Sequence, residues 1–208
     1  MIGLITSCQR PDLLEKTYDS FFRDQKYPLN LKIFIHEDSD KTLFNFLPGY
    51  QYCLLNGVGQ HKSIEHFLEY VHDETNEVYY VHLEDDWEFK NSYDWIFESI
   101  KILRSDPDII KVLCNSDSPH PCVYDHELLD NQSVTRFGYL NPWVNDGIKW
   151  YGFSWNPGVT RWDYLKKFVP FPRWEQDLSK VIHDAGYEVV RLEKGVCTHI
   201  GQGRSTHE

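Results

Sequence analysis

The chain has 208 residues, 41% hydrophobic and 25% charged, which suits one compact domain and excludes a disordered or low-complexity protein. Asp and Glu total 32 against 21 Lys and Arg, a formal charge of −11, which argues against a nucleic-acid binder and against docking on an anionic membrane. Aromatic content is high at 15%, including 7 Trp, more than a core of this size needs.

Ile2–Thr6 reads as a strand, and Pro11 then opens a helix carrying Leu13, Leu14, Tyr18, Phe21 and Phe22. Leu31–His36 is a second strand, ending in Glu37-Asp38. A short helix is expected around Lys41–Phe46 and a third strand over Tyr52–Leu55. Lys62–His72 reads as a helix with Ile64, Phe67, Leu68 and Val71 on one face; Gln60, His61 and His66 are expected on its surface. Val78–Leu83 is a fourth strand, running into Glu84-Asp85-Asp86. Tyr93–Leu103 is helical and Ile109–Leu113 a fifth strand. Alternation of this kind implies βαβ units, a mostly parallel sheet, and ligands outside the carboxyl ends of the strands.

From Ser116 to Pro172 the periodicity weakens, and long loops and short strands laid over the sheet are expected. Trp174–Ala185 returns to helix, with Leu178, Val181 and Ile182 as its buried stripe and Gly186 as its stop. Tyr187–Leu192 reads as a last strand before a polar, Gly-containing tail. We expect a single domain over 1–208 with two functional halves, 1–116 and 117–208. No basic leader with an apolar run follows Met1, and no apolar stretch is long enough to span a bilayer. The five cysteines are scattered without a C-x-x-C pair, which suits reduced thiols and a cytoplasmic protein.

An apolar strand ending in Glu84-Asp85-Asp86 concentrates negative charge, and a hard divalent cation, Mg²⁺ or Mn²⁺, is the natural partner. His199 could complete such a shell. Glu175 and Asp177 lie in a first helical turn, where acids serve the helix dipole or, in a cleft, act as a general base. About 200° separates the two around a helix, so at most one serves as base. Zinc at His120, Cys122 and His126 lacks a ligand set. Asn56-Gly57-Val58-Gly59 is not a P-loop, and Ser7-Cys8 has no nucleophile elbow.

Taken in order, these segments resemble the glycosyltransferases of the GT-A fold, particularly small family-2-like members, over most of the chain. The resemblance rests on Ile5-Thr6-Ser7-Cys8-Gln9-Arg10-Pro11 and its helix, on Glu37-Asp38, on the acidic Glu84-Asp85-Asp86 as a DXD-like motif, on Trp174-Glu175-Gln176-Asp177-Leu178 running to Ala185-Gly186-Tyr187, and on His199-Ile200-Gly201. It implies a GT-A (Rossmann-like) α/β fold with a mostly parallel central sheet flanked by helices, a nucleotide-sugar-binding half (1–116), an acceptor-binding half with a metal-binding tail (117–208), and a hexosyltransferase-like enzyme. The donor would be a nucleotide-diphospho-sugar, with a UDP-sugar favoured over a GDP-sugar because Asp38 would face the base. Thr6, Arg10, Asp38, Lys62, Glu84 and Asp85 would bind it, and Asp86 with His199 would hold Mn²⁺ or Mg²⁺. Glu175 would be the base of an inverting reaction, with Asp177 as the other candidate. The usual Glu-Asp pair before the final helix is here Trp174-Glu175.

The acceptor, a glycan or another hydroxyl compound, is expected against Trp143, Trp150, Tyr151, Trp155 and Trp162, whose rings could stack on sugar C–H faces, with Asn156 or Asp146 hydrogen-bonding its hydroxyls. Packing of the lid is the alternative role for each ring. Two other function classes stay open. A metal-dependent phosphoesterase or nucleotide-sugar hydrolase would use the same strand-end acids. A non-catalytic sugar-binding module would explain the tryptophans but not Glu84–Asp86 together with His199.

Overall fold

The computed structural model describes residues 1–24, 32–37, 51–54, 59–74, 78–90, 94–115, 124–129, 132–137, 143–145 and 148–204. The elements in chain order are β1 (Ile2–Ser7), α1 (Pro11–Asp24), β2 (Lys32–Glu37), β3 (Gln51–Leu54), α2 (Gly59–Glu74), β4 (Tyr79–Glu84), β5 (Trp87–Phe89), α3 (Trp95–Ser105) and β6 (Ile109–Leu113). The second half holds β7 (Tyr124–Leu129), β8 (Gln132–Phe137), β9 (Trp143–Asn145), β10 (Ile148–Trp150), β11 (Gly158–Arg161), α4 (Trp162–Leu165), α5 (Glu175–Asp184), β12 (Glu188–Leu192) and β13 (Cys197–His199). The helix expected at Lys41–Phe46 lies outside the described residues.

Nine strands form one sheet in the order β3-β2-β1-β4-β11-β6-β12-β8-β7. The ladders β3–β2, β2–β1, β1–β4 and β6–β12 are parallel; β11 runs antiparallel to both its neighbours, and β8 to both of its own. Seven strands therefore point one way, and β11 and β8 the other. All six residues of β1 are buried, as expected of a central strand covered on both faces. Ile2 and Leu4 join the core beneath α2, α4 and α5, while Ile5 joins the core beneath α1 and α3, so alternate residues feed the two faces.

The second half is not a cover of loops. Strands β7, β8, β11 and β12 extend the same sheet, and β11 inserts between β4 and β6. Weak periodicity hid this, because β11 is buried along its whole length and so shows no polar alternation. Its tight seat has a sharp requirement. A Cβ on Gly158 would lie 2.3 Å from the Val112 carbonyl oxygen. Gly158→Ala is therefore expected to lower the thermal midpoint by several degrees or prevent folding, read by circular dichroism, since backbone in mid-sheet cannot step aside.

In α5, Leu178, Ser179 and Ile182 are buried, but Val181 is 38% exposed and does not belong to the stripe. The tail is also more ordered than its composition suggests. β13 pairs antiparallel with β5, and a parallel bridge joins Cys197 to Asn115 at the end of β6. On its other side β5 meets α1, whose Thr17 and Ser20 hydroxyls accept the Trp87 and Phe89 N–H groups, each at 3.0 Å. This small ribbon brings residue 199 to the end of β4.

Among the described residues no helix is long and apolar enough to cross a membrane. Buried Trp87, Trp95, Trp155 and Trp162 account for most of the tryptophan excess as core.

Candidate active site

The carboxyl ends of β1 and β4, the N-termini of α2 and α5, and β13 converge on one set of polar side chains. At its centre four donors reach Asp85. They are the Ser7 hydroxyl (2.8 Å), the Cys8 N–H (3.2 Å), and Nε (3.2 Å) and Nη2 of Arg10. That donor set fits a carboxylate. Burial opposes it and pushes the Asp85 pKa up to about 7, with the Arg10 charge and the Ser7 hydrogen bond pulling the other way. Gln9, at φ 54°, makes the turn that aims Cys8 and Arg10 at the same side chain. A non-glycine residue in this region costs about 1 kcal/mol, strain of the kind that collects at functional sites.

Asp86 is buried and shares its Oδ2 between Arg10 Nη1 (2.7 Å) and His199 Nε2 (3.1 Å). The tail is held close because the Ile200 N–H donates to the Asp86 carbonyl (2.8 Å) and residue 201 is glycine. A Cβ there would sit 2.5 Å from Asp86 Oδ2. Arg204 then ties the tail to α1 through a two-pronged ion pair with Asp12, 2.7 and 3.0 Å.

Glu84 takes Gln60 Nε2 on Oε1 (2.8 Å) and Trp87 Nε1 on Oε2 (3.2 Å). Burial and the Asp86 charge push its pKa up. Thr6 is buried within the protein, between His82 Nε2 (3.2 Å) and Gln60 (3.4 Å). The sequence suggested that Thr6 faces a nucleotide; its hydroxyl is instead part of this internal network. Gln60, expected on the helix surface, is also part of it. Lys62 is exposed, at the start of α2, and pairs with Glu65 at 2.5 Å. Asp38 lies outside the described residues.

Glu175 opens α5 and turns its carboxylate inward, where Oε1 accepts the Trp155 N–H at 2.5 Å. Burial first, and the charge of Glu84 second, raise its pKa to about 7, against Lys111 and hydrogen bonds from Trp155 and Ser154. Asp177 is exposed on the same turn and has no part in this cluster. Of the expected acceptor residues, Trp150 and Asn156 are half-buried. Trp155 is 1% exposed and packs against Phe153, Phe171, His61 and His82. It cannot offer a ring face to an acceptor in this conformation. The surface ring beside Glu175 is Trp174, 56% exposed, with the Arg173 guanidinium 4.9 Å from its centroid.

Lys111 and His82 escaped the sequence reading. Both sit in apolar strand runs, Ile-Ile-Lys-Val-Leu and Val-His-Leu, where one polar residue interrupts a buried segment. That interruption was the available signal.

Four carboxyl groups (Glu84, Asp85, Asp86, Glu175) thus face two fixed cations (Arg10, Lys111). The carboxylate and imidazole of the Asp86–His199 pair are donor types that suit a divalent cation taking its other ligands from outside the protein. They do not suit a metal held by protein alone. Among the described residues no three His, Cys, Asp or Glu side chains are arranged to hold one.

The fold is similar to that of the mannosyltransferase PcManGT from Pyrobaculum calidifontis in complex with GDP-Man and Mn²⁺. The TM-score is 0.65 and the identity 15%, over 98% of this chain and 58% of that one. It is also similar to S. aureus TarS 1-349, with TM-score 0.60 and 13% identity over 96% and 60% of the two chains. A second TarS structure matches at TM-score 0.61 and 11% identity, over 95% and 36%. The chain therefore spans less than two thirds of each of these structures. No protein-family model and no curated sequence matches it. The likeness establishes the GT-A fold that the sequence resemblance implied.

Proposed function

We propose that this GT-A-fold chain is a divalent-metal-assisted glycosyltransferase that moves a sugar from a nucleotide-diphospho-sugar to an acceptor hydroxyl with inversion, Glu175 acting as general base. The observation that carries this reading is the Glu175 carboxylate, with its pKa near 7, at the end of the sheet where Glu84, Asp85, Asp86 and His199 also meet.

In this reading the donor diphosphate lies at the ends of β1 and β4. Asp86 and His199 would hold Mn²⁺ or Mg²⁺, which supplies Lewis-acid neutralisation of the departing nucleoside diphosphate. Asp85 anchors Arg10, and through it Asp86, so that the metal-facing carboxylate is fixed before the donor arrives. Arg10 offers the diphosphate a further positive charge at the cluster's edge. Glu84 is held by Gln60 and Trp87 toward the sugar side. The acceptor hydroxyl approaches from α5, and Glu175 Oε2 takes its proton as the new glycosidic bond forms. Trp150 and Asn156 remain the acceptor residues, and Trp174 takes the role the sequence gave to Trp155.

The preference for uridine rests on Asp38, whereas the PcManGT structure holds GDP-Man. Titration of UDP and GDP, each with and without Mn²⁺, tests both. At a hundredfold excess over Kd the accepted nucleotide should raise the thermal midpoint by about 5–10 °C, only with the metal present. Stabilisation by free sugars alone would sink the transferase reading. Turnover to free sugar with no acceptor would assign the site to hydrolysis.

A further inference from the structure

We infer that Lys111 is the positioning residue for Glu175, holding its carboxylate inward and ionised through a single shared peptide unit. This inference rests on Glu175 as the general base. Lys111 stands in the middle of β6 and is 0% exposed. A lysine so placed is almost always paired. Among the described residues it makes no direct ion pair. Its Nζ donates to the Ser154 carbonyl oxygen at 2.7 Å and lies 5.3 and 5.8 Å from the ring centroids of Phe153 and Trp155.

The Ser154 carbonyl belongs to the same peptide group as the Trp155 N–H, which donates to Glu175 Oε1. One peptide plane therefore has an ammonium group on its oxygen and a carboxylate on its N–H. Each charge sits at the end of the dipole that favours it, and each polarises the bond the other makes. The next carbonyl, that of Trp155, faces His82 Nδ1 at 2.5 Å. Burial holds the His82 pKa well below its ordinary value, so the ring is neutral and supplies no second cation. The groups facing Glu175 are thus Glu84 from β4, Lys111 from β6, and the Ser154 hydroxyl and Trp155 N–H from the segment before β11. Lys111 in turn faces Glu175, Glu84 and the Cys114 thiol. It is the one cation in the set.

The site also explains why an apolar strand carries a lysine. β6 has a register shift against β12 just ahead of Lys111, and Lys111 pairs with Thr160 of β11. The strand there turns the lysine toward the Phe153–Trp155 segment, where its charge has a use.

Burial lowers the Lys111 pKa to about 8 and raises that of Glu175 to about 7. Both are charged between these values. Above about 8 Lys111 becomes neutral, and the Glu175 carboxylate loses its only cationic neighbour.

The test is a pH titration of the whole protein labelled with [5-¹³C]glutamate, with the Glu175 resonance assigned by its absence in Glu175→Gln. The parent should titrate near pH 7, with a second inflection near pH 8 as Lys111 deprotonates. In Lys111→Met the midpoint should rise by about one unit or more, because only the Trp155 N–H and the Ser154 hydroxyl then oppose desolvation and Glu84. The low-pH limb of kcat for transfer should move up with it. A merely structural lysine would depress kcat at every pH without moving either midpoint. If Lys111→Met does not fold, the parent's second inflection decides alone. A single inflection in the parent, or an unmoved midpoint in the variant, overturns the inference. A shifted midpoint in a protein that transfers no sugar would count against the transferase reading while supporting the hold of Lys111 on Glu175.

Discussion

Glu175→Gln should lower kcat for sugar transfer by about 10²–10⁴-fold, the usual loss when a general base is removed. Donor affinity should stay within about twofold, because the carboxylate is proposed to act on the acceptor proton rather than on the donor. The amide keeps an oxygen for the Trp155 N–H, so the loss reports chemistry rather than collapse of the local structure. The pH profile supplies a second signature. With its pKa raised to about 7, Glu175 is protonated in acid and inactive as a base, so kcat should rise with pH through about 7. That limb should vanish in the variant. Stability should move the opposite way. Between about 4.5 and 7 the folded protein holds a proton on Glu175 that the unfolded chain has released. This contribution is full below about 4.5 and is lost as pH rises through about 7, a slope Glu175→Gln should remove. Asp177→Asn, on the exposed side of the same turn, should leave kcat nearly unchanged. An active Glu175→Gln with an inactive Asp177→Asn would reverse the assignment.

Asp86→Ala should abolish the Mn²⁺-dependent stabilisation by a nucleoside diphosphate and lower transfer by about 10³-fold, in keeping with several kcal/mol of Lewis-acid stabilisation of the leaving group. Both nucleotide titration and turnover read it. The variant also frees Arg10 Nη1 and His199 Nε2 from their shared oxygen. Metal-independent binding of the diphosphate to the released Arg10 could then persist, so the diagnostic quantity is the difference with and without Mn²⁺. If that difference survives in Asp86→Ala, the metal lies elsewhere and the Asp86–His199 pair is structural.

Much of the first half was legible because βαβ order writes itself into hydrophobic periodicity. β1, β2, β3, β4 and β6 were each located to within about two residues, and the strand-end rule led directly to Arg10 and Glu84–Asp86. His199 stood out as an imidazole after the last strand and again by resemblance, but only the β5–β13 pairing puts its ring beside Asp86. Burial was harder to read. Trp155 and Trp174 are the same residue type, nineteen positions apart, yet one is core and the other surface. Aromatic composition cannot tell a stacking platform from a packed ring.

The sequence by itself determined the strand–helix alternation and the acidic end of β4, and it left Glu175 and Asp177 as two candidates in one helical turn. Those are local properties, set by period and by residue type. Tertiary structure decided what each charge does. Insertion of β11 beside β6 brings the Ser154–Trp155 peptide between Lys111 and Glu175, residues 64 positions apart in the chain. The pKa values follow from that burial and those neighbours, and neither is visible until the strands are paired.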